Sequence, residues 1–116
     1  MDNCYKAKED YGLRVKEVKI EDIKWGEINA LEQAKICARF SRFYTLMEQE
    51  MQHPILLFNN ELYNGGLRLM VAVEKGYKYI DAIILSDIKE LEKLRDIQRA
   101  DAKNYFKYEE LEPTEK

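Results

Sequence analysis

The densest run of residues able to hold a ligand is Phe58-Asn59-Asn60-Glu61-Leu62-Tyr63-Asn64, followed across Gly65-Gly66 by Arg68. Aromatic faces stack on nucleobases, asparagine amides read base or ribose edges, and a guanidinium meets phosphate through paired donors. Together these types suit an adenine nucleotide, with Phe58 or Tyr63 as the stacking ring, Asn59 or Asn60 on ribose or base, and Arg68 on phosphate. Arg95 and Arg99, four residues apart on a predicted helix, are further anion donors, as are Arg39 and Arg42. Each residue also has a structural reading. Asparagine and glycine are ordinary turn residues, an aromatic on a half-buried strand belongs to the core, and helical arginines pair with neighbours such as Glu92 and Asp96.

Bond-breaking chemistry needs a nucleophile, a base and a group to orient them, and candidates are few. The single histidine, His53, stands directly before Pro54 at the end of a helical pattern, where it reads as a carbonyl or dipole partner. Cys37 falls among apolar helix positions and Cys4 near the N-terminus, with no sequence neighbour that would lower either pKa. Ser41 reads as a small helix-face residue and Ser86 as a helix cap. No zinc-type spacing, glycine-rich phosphate loop or EF-hand pattern occurs, and the carboxylates lie mostly at helix-surface spacings. The expectation is a binding protein with no catalytic residue, metal ligand or cofactor.

The elements that must position these residues come from a chain of 116 residues, the length of one domain. We expect a single domain over 1–116, with its core at about 13–106 and an acidic tail at 109–116. A net charge of -3 argues against a grip on duplex nucleic acid, two cysteines without metal or disulfide spacing read as cytosolic, and no apolar run is long enough for a membrane span or signal peptide.

Leu13 to Ile20 alternates with one slip at Glu17, which predicts a strand with a bulge. Glu27 to Gln52 contains no Gly or Pro and stops at His53-Pro54, which predicts a long helix. Its apolar arc takes in Ile36, Cys37, Phe40, Phe43, Tyr44, Met47 and Met51 beside small residues Ala30, Ala34, Ala38 and Ser41, leaving a polar face narrow enough to imply cover by a sheet and a second subunit. After Pro54 the period becomes two: Ile55 to Tyr63, Leu67 to Val73 and Tyr77 to Leu85 read as an antiparallel three-stranded meander, with turns at Asn64-Gly65-Gly66 and Glu74-Lys75-Gly76. Asp87 then caps a second helix from Ile88 to about Tyr108, with Ile88, Leu91, Leu94 and Ile97 as its buried stripe. The predicted fold class is α+β: an antiparallel sheet of the N-terminal strand plus the meander, packed with two α-helices, in an oligomer.

The segment Leu56 to Gly66, running into Leu67-Arg68-Leu69 and Tyr77-Lys78-Tyr79-Ile80-Asp81, resembles the phage anti-Thoeris proteins of the first type. The resemblance covers roughly residues 13 to 106 by general layout. It implies a non-enzymatic sponge in the infected bacterial cytoplasm that sequesters a cyclic ADP-ribose isomer, and in some members cyclic oligonucleotides, in pockets between subunits of a homo-oligomer. Arg68→Ala is then expected to abolish binding while leaving the fold intact. A reading from another class is an anti-CRISPR-like inhibitor that binds protein through the acidic tail Glu109-Glu110-Leu111-Glu112 and the second helix. A nucleotide-hydrolysing enzyme is the third, and the sparse catalytic inventory places it last.

Overall fold

The computed structural model describes residues 3–12, 14–38 and 51–105. Within them the order is β1 (Cys4–Tyr5), β2 (Lys16–Lys19), a 3-10 turn (Ile20–Asp22), β3 (Lys24–Trp25), β4 (Ile28–Asn29), α1 (Ala30–Ala38), β5 (Ile55–Phe58), β6 (Glu61–Asn64), α2 (Gly66–Glu74), β7 (Tyr79–Leu85) and α3 (Ile88–Tyr105).

The described strands form one mixed sheet rather than an antiparallel one. β7 is its spine. β2 runs antiparallel to β7 over Tyr79–Ala82, whereas β1 and β5 run parallel to it over Tyr79–Ile80 and Ala82–Leu85. Because β2 overlaps the register of both, β1 and β5 must lie end to end along the other edge of β7. β6 pairs antiparallel with β5, β3 parallel with β6, and β4 antiparallel with β3.

The parallel β5–β7 pair explains the main departure from the predicted meander. β6 already returns the chain antiparallel to β5, but β7 lies beside β5 rather than beside β6, so the chain leaving β6 cannot close a hairpin and must pass over β5 through a connecting element. That element is Gly66–Glu74, which the alternation of Leu67, Leu69, Val71 and Val73 had marked as a strand and which is α2. Leu69, Met70, Val71 and Ala72 are all buried, so the helix is covered on several sides and carries no clear 3.6-residue stripe. Glu74-Lys75-Gly76, read as a hairpin, is instead the C-terminus of α2. Gly76 sits at φ +85 with its N–H on the Val73 carbonyl, and the Tyr77 N–H reaches back to Ala72, as in a Schellman-type stop.

The missed turn lies between β5 and β6. Asn59 and Asn60 have φ of +52 and +71, the left-handed pair of a two-residue hairpin. Upstream, β2 keeps continuous register with β7 through Glu17, without a bulge there. Val15 and Val18 serve opposite faces of the sheet, so the alternation needs no slip. The first helix starts at Ala30 rather than Glu27, because Ile28–Asn29 form β4 and the Asn29 side chain caps the helix through the Leu31 N–H at 2.8 Å. Met51 and Gln52 are not helical, Met51 being buried and bridged to Ala7, and residues 39–50 of the predicted helix, with Arg39, Arg42 and Ser41, lie outside the described residues, as does the acidic tail. Ala30 and Ala34 are buried on α1, which packs on α2, while Ile36 is exposed, so the small-residue side of the predicted arc faces inward.

Two apolar layers result. Ile55, Leu57, Ile80 and Ala82 face α1 and α2, joining Val18, Leu69, Val71 and Ala72. Leu56 and Ile83, on the other face, meet Leu91 and Leu94 of α3. Asp87 caps α3 as expected, accepting the Lys89 N–H at 3.0 Å. Ile88 and Ile97, predicted in the buried stripe, are exposed, and Gln98 is buried instead. Seven residues beyond Leu91, Gln98 is only about 20° from it around the helix, whereas Ile97 is well off that direction. Trp25, half-buried on β3, lies over the start of α2, so that a Cβ on Gly66 would stand 2.8 Å from its ring.

Candidate functional site

The polar groups brought together by the fold lie on the α3 face of the sheet, and a β-bulge puts them there. Leu57 pairs with Leu62, but Leu56 pairs with Asn64, so Tyr63 is the extra residue on β6. Neighbours on a regular strand point to opposite faces; the bulge instead lets Tyr63 and Asn64 both serve the α3 side. Tyr63 packs at the rim of the Leu56–Ile83–Leu91–Leu94 layer together with Phe58. Asn64 Nδ2 donates to Gln98 Oε1 at 3.0 Å.

Arg95 and Gln98 are three residues apart on α3 and face these two positions. The Arg95 guanidinium lies over the Tyr63 ring, 5.7 Å from its centroid, with Nη1 3.4 Å from the phenol oxygen. Its Nη2 is 3.5 Å from Asp96, a carboxylate with 69% of its side chain exposed, while 30% of the Arg95 side chain reaches solvent. Arg95 Nε is enclosed and has no hydrogen-bond partner among the described residues.

Arg68 approaches from α2. Gly65, at φ +111, precedes the helix, and a Cβ there would stand 2.7 Å from Ile55 Cγ2 and 3.0 Å from Arg68 Nη2. Arg68 Nη1 donates to the carbonyls of His53 and Pro54 at 2.8 and 2.9 Å, and Nη2 donates to Gln98 Oε1 at 3.0 Å. Gln98 Nε2 returns a bond to the Pro54 carbonyl at 3.1 Å. Among the described residues no carboxylate pairs with Arg68. Withdrawal of its guanidinium from water lowers the pKa to about 10, with Tyr11 and Tyr5 opposing the shift.

His53 is buried, and its Nδ1 lies 2.8 Å from the Tyr11 hydroxyl, so it contacts the N-terminal segment with its ring and α2 with its carbonyl. Cys4 is also buried; its thiol donates to Asp81 at 3.5 Å, and burial followed by the Asp81 charge pushes its pKa up to about 12. It is a free, buried thiol held in its protonated form.

Of the seven predicted ligand residues, Phe58, Tyr63, Arg68 and Arg95 therefore share one region. Asn59 and Asn60 form the exposed hairpin tip and owe their identity to its left-handed backbone, while Arg99 is exposed on α3. Sequence reading missed Asn64 and Gln98. Gln98 had a signal, since it continues the Leu91 face with a polar group; Asn64 had none, because its orientation depends on the bulge beside it. The arrangement supplies cationic donors, an aromatic face and amide groups, which can bind an anion attached to a flat ring. No protein-family profile, curated protein or solved structure matches the chain.

Proposed function

We propose that the protein binds and retains a small phosphate-bearing nucleotide without transforming it, a cyclic ADP-ribose isomer being the ligand that the sequence resemblance points to. The observation that carries this reading is Arg95 lying over Tyr63, partly exposed, with its Nε enclosed and unpartnered among the described residues. A buried donor without an acceptor is costly, and a ligand oxygen would relieve that cost. In this reading Arg95 meets phosphate, Tyr63 and Phe58 offer ring faces to the base, and Gln98 and Asn64 stand behind them. Arg68 acts mainly by holding Gln98, since three of its bonds are spent on His53, Pro54 and Gln98. Cytoplasmic action and assembly into a homo-oligomer belong to the same proposal. Among the described residues Ile36 and Ile97, each about half exposed, are the most exposed large apolar side chains and are offered for self-association.

The test is to incubate the purified protein with a cyclic ADP-ribose isomer made by an activated TIR enzyme, measure free signal by mass spectrometry, then heat and measure again. Loss followed by full recovery supports retention. Loss without recovery indicates turnover, and no loss removes this ligand. Sizing of the wild type against Ile97→Glu tests the assembly: a single monomeric species in both would end that part of the proposal.

A further inference from the structure

A second polar cluster lies further along β7, where β1 and β2 flank it, and owes nothing to the nucleotide reading. Cys4 on β1, Asp81 on β7 and Glu17 on β2 occupy three adjacent strands. Glu17 and Asp81 are register partners, and Cys4 pairs with Tyr79, two residues before Asp81, so all three project from one face. One donor atom from each lies within 4.8 Å of the other two.

Cys4 Sγ and Asp81 Oδ1 are 3.5 Å apart. A tetrahedral zinc ion with a thiolate at about 2.3 Å and a carboxylate oxygen at about 2.0 Å would separate those ligand atoms by about 3.5 Å. The other carboxylate oxygen, Asp81 Oδ2, accepts the Ala7 N–H at 2.9 Å, which holds Oδ1 towards the sulfur.

The charge balance points separately to a cation. Two carboxylates directly opposite each other across a strand pair repel. Asp81 is 6% exposed, and burying a carboxylate is costly without close compensation. Among the described residues the cation at this cluster is the ammonium of Lys6, which bonds to Glu17 but stays 3.9 Å from Asp81 Oδ1. Lys6 and Glu17 are more than half exposed, so their pair is weakly held and open to exchange.

We propose that Cys4, Asp81 and Glu17 form a binding site for a thiophilic divalent cation of the zinc class, with water as the fourth ligand. On binding, the Cys4 S–H bond breaks, its proton leaves to solvent and a sulfur–metal bond forms. Thiolate, two carboxylates, the dication and Lys6 then sum to zero. The donors come from three strands far apart in sequence, so no spacing motif announces them.

The probe is Co2+ added to the full chain, followed by thiolate-to-metal charge-transfer absorption. The expected result is a band that saturates at one Co2+ per chain and disappears when Zn2+ is added. It should be lost in Cys4→Ala and in Asp81→Asn, and retained in Cys37→Ala. Glu17→Gln changes a half-exposed side chain and should leave the fold intact by circular dichroism while weakening Co2+ binding about tenfold or more. Absence of the band in the wild type, its persistence in Cys4→Ala, or unchanged affinity in Glu17→Gln would each overturn the proposal.

Discussion

Arg68 and Gln98 meet at 3.0 Å, and both bind the same carbonyl, that of Pro54. This closed set of bonds joins α2 on one face of the sheet and α3 on the other to the residue that leads into β5. Arg68, read from sequence as a phosphate ligand that could be removed without harm to the fold, directs three donor bonds to the fold's own groups, and a loss of stability on its removal is the outcome these bonds predict.

Replacing Arg68 by Ala should accordingly destabilise the protein, by roughly 2–4 kcal/mol, because the His53 and Pro54 carbonyls and Gln98 lose a charged donor in a place shielded from water. Gln98→Leu should cost less, about 1–3 kcal/mol, since Arg68 keeps its two carbonyl partners. Urea unfolding of the two single variants and the double variant should show clearly non-additive losses. Additive losses would mean that the two side chains act independently.

Arg95 and Tyr63 are predicted to separate binding from stability. Arg95→Ala should remove most nucleotide affinity and change unfolding free energy by less than about 1 kcal/mol, because its interactions are with a half-exposed ring and an exposed carboxylate. Arg99→Ala, at an exposed position one turn further along α3, should leave affinity within about twofold. Calorimetric titration of both variants with the same ligand checks this, and equal losses in the two would place the phosphate elsewhere on the helix.

Gly65→Ala should cost about 2 kcal/mol or more. It combines a residue at φ +111 with a Cβ placed 2.7 Å from the buried Ile55 side chain. Gly76→Ala meets no atom within 4 Å and pays only for its positive φ of +85, about 1 kcal/mol. A comparison of their denaturation midpoints isolates the steric part; matching midpoints would show that Ile55 moves aside without cost.

The Cys4 thiol gives a pH prediction for the metal-free protein. Its ordinary pKa of 9.0 is pushed up to about 12 in the fold, so the native state holds this proton more tightly than the unfolded chain. The corresponding stability is fully present below pH 9 and is lost as pH rises towards 12. Wild type should therefore lose stability above pH 9 more steeply than Cys4→Ala, measured by chemical unfolding at a series of pH values. Alkylation mapped to Cys4 at pH 8 should likewise be slow in the native protein and fast in denaturant. Parallel pH curves for the two proteins would contradict the shift.

The sequence by itself determined the features that depend on neighbouring residues. Asp87 marked the start of α3, and the apolar run Tyr79–Leu85 marked a strand covered on both faces. Cap bonds and strand burial are set by side chains within a few positions of one another, so they can be read along the chain. What only the tertiary structure decided was the partner of each element. Leu67–Val73 alternates like a strand, yet β7 pairs with β5 rather than with β6, so the chain must pass over β5 there, and burial on several sides erased the helical stripe that would have revealed the helix. The same holds for the polar sites. Asn64 meets Gln98 because a bulge at Tyr63 turns it, and Cys4 meets Asp81 across 77 positions because β1 lies beside β7. Contacts between distant segments are selected by the packing free energy of the whole sheet, which no local pattern encodes.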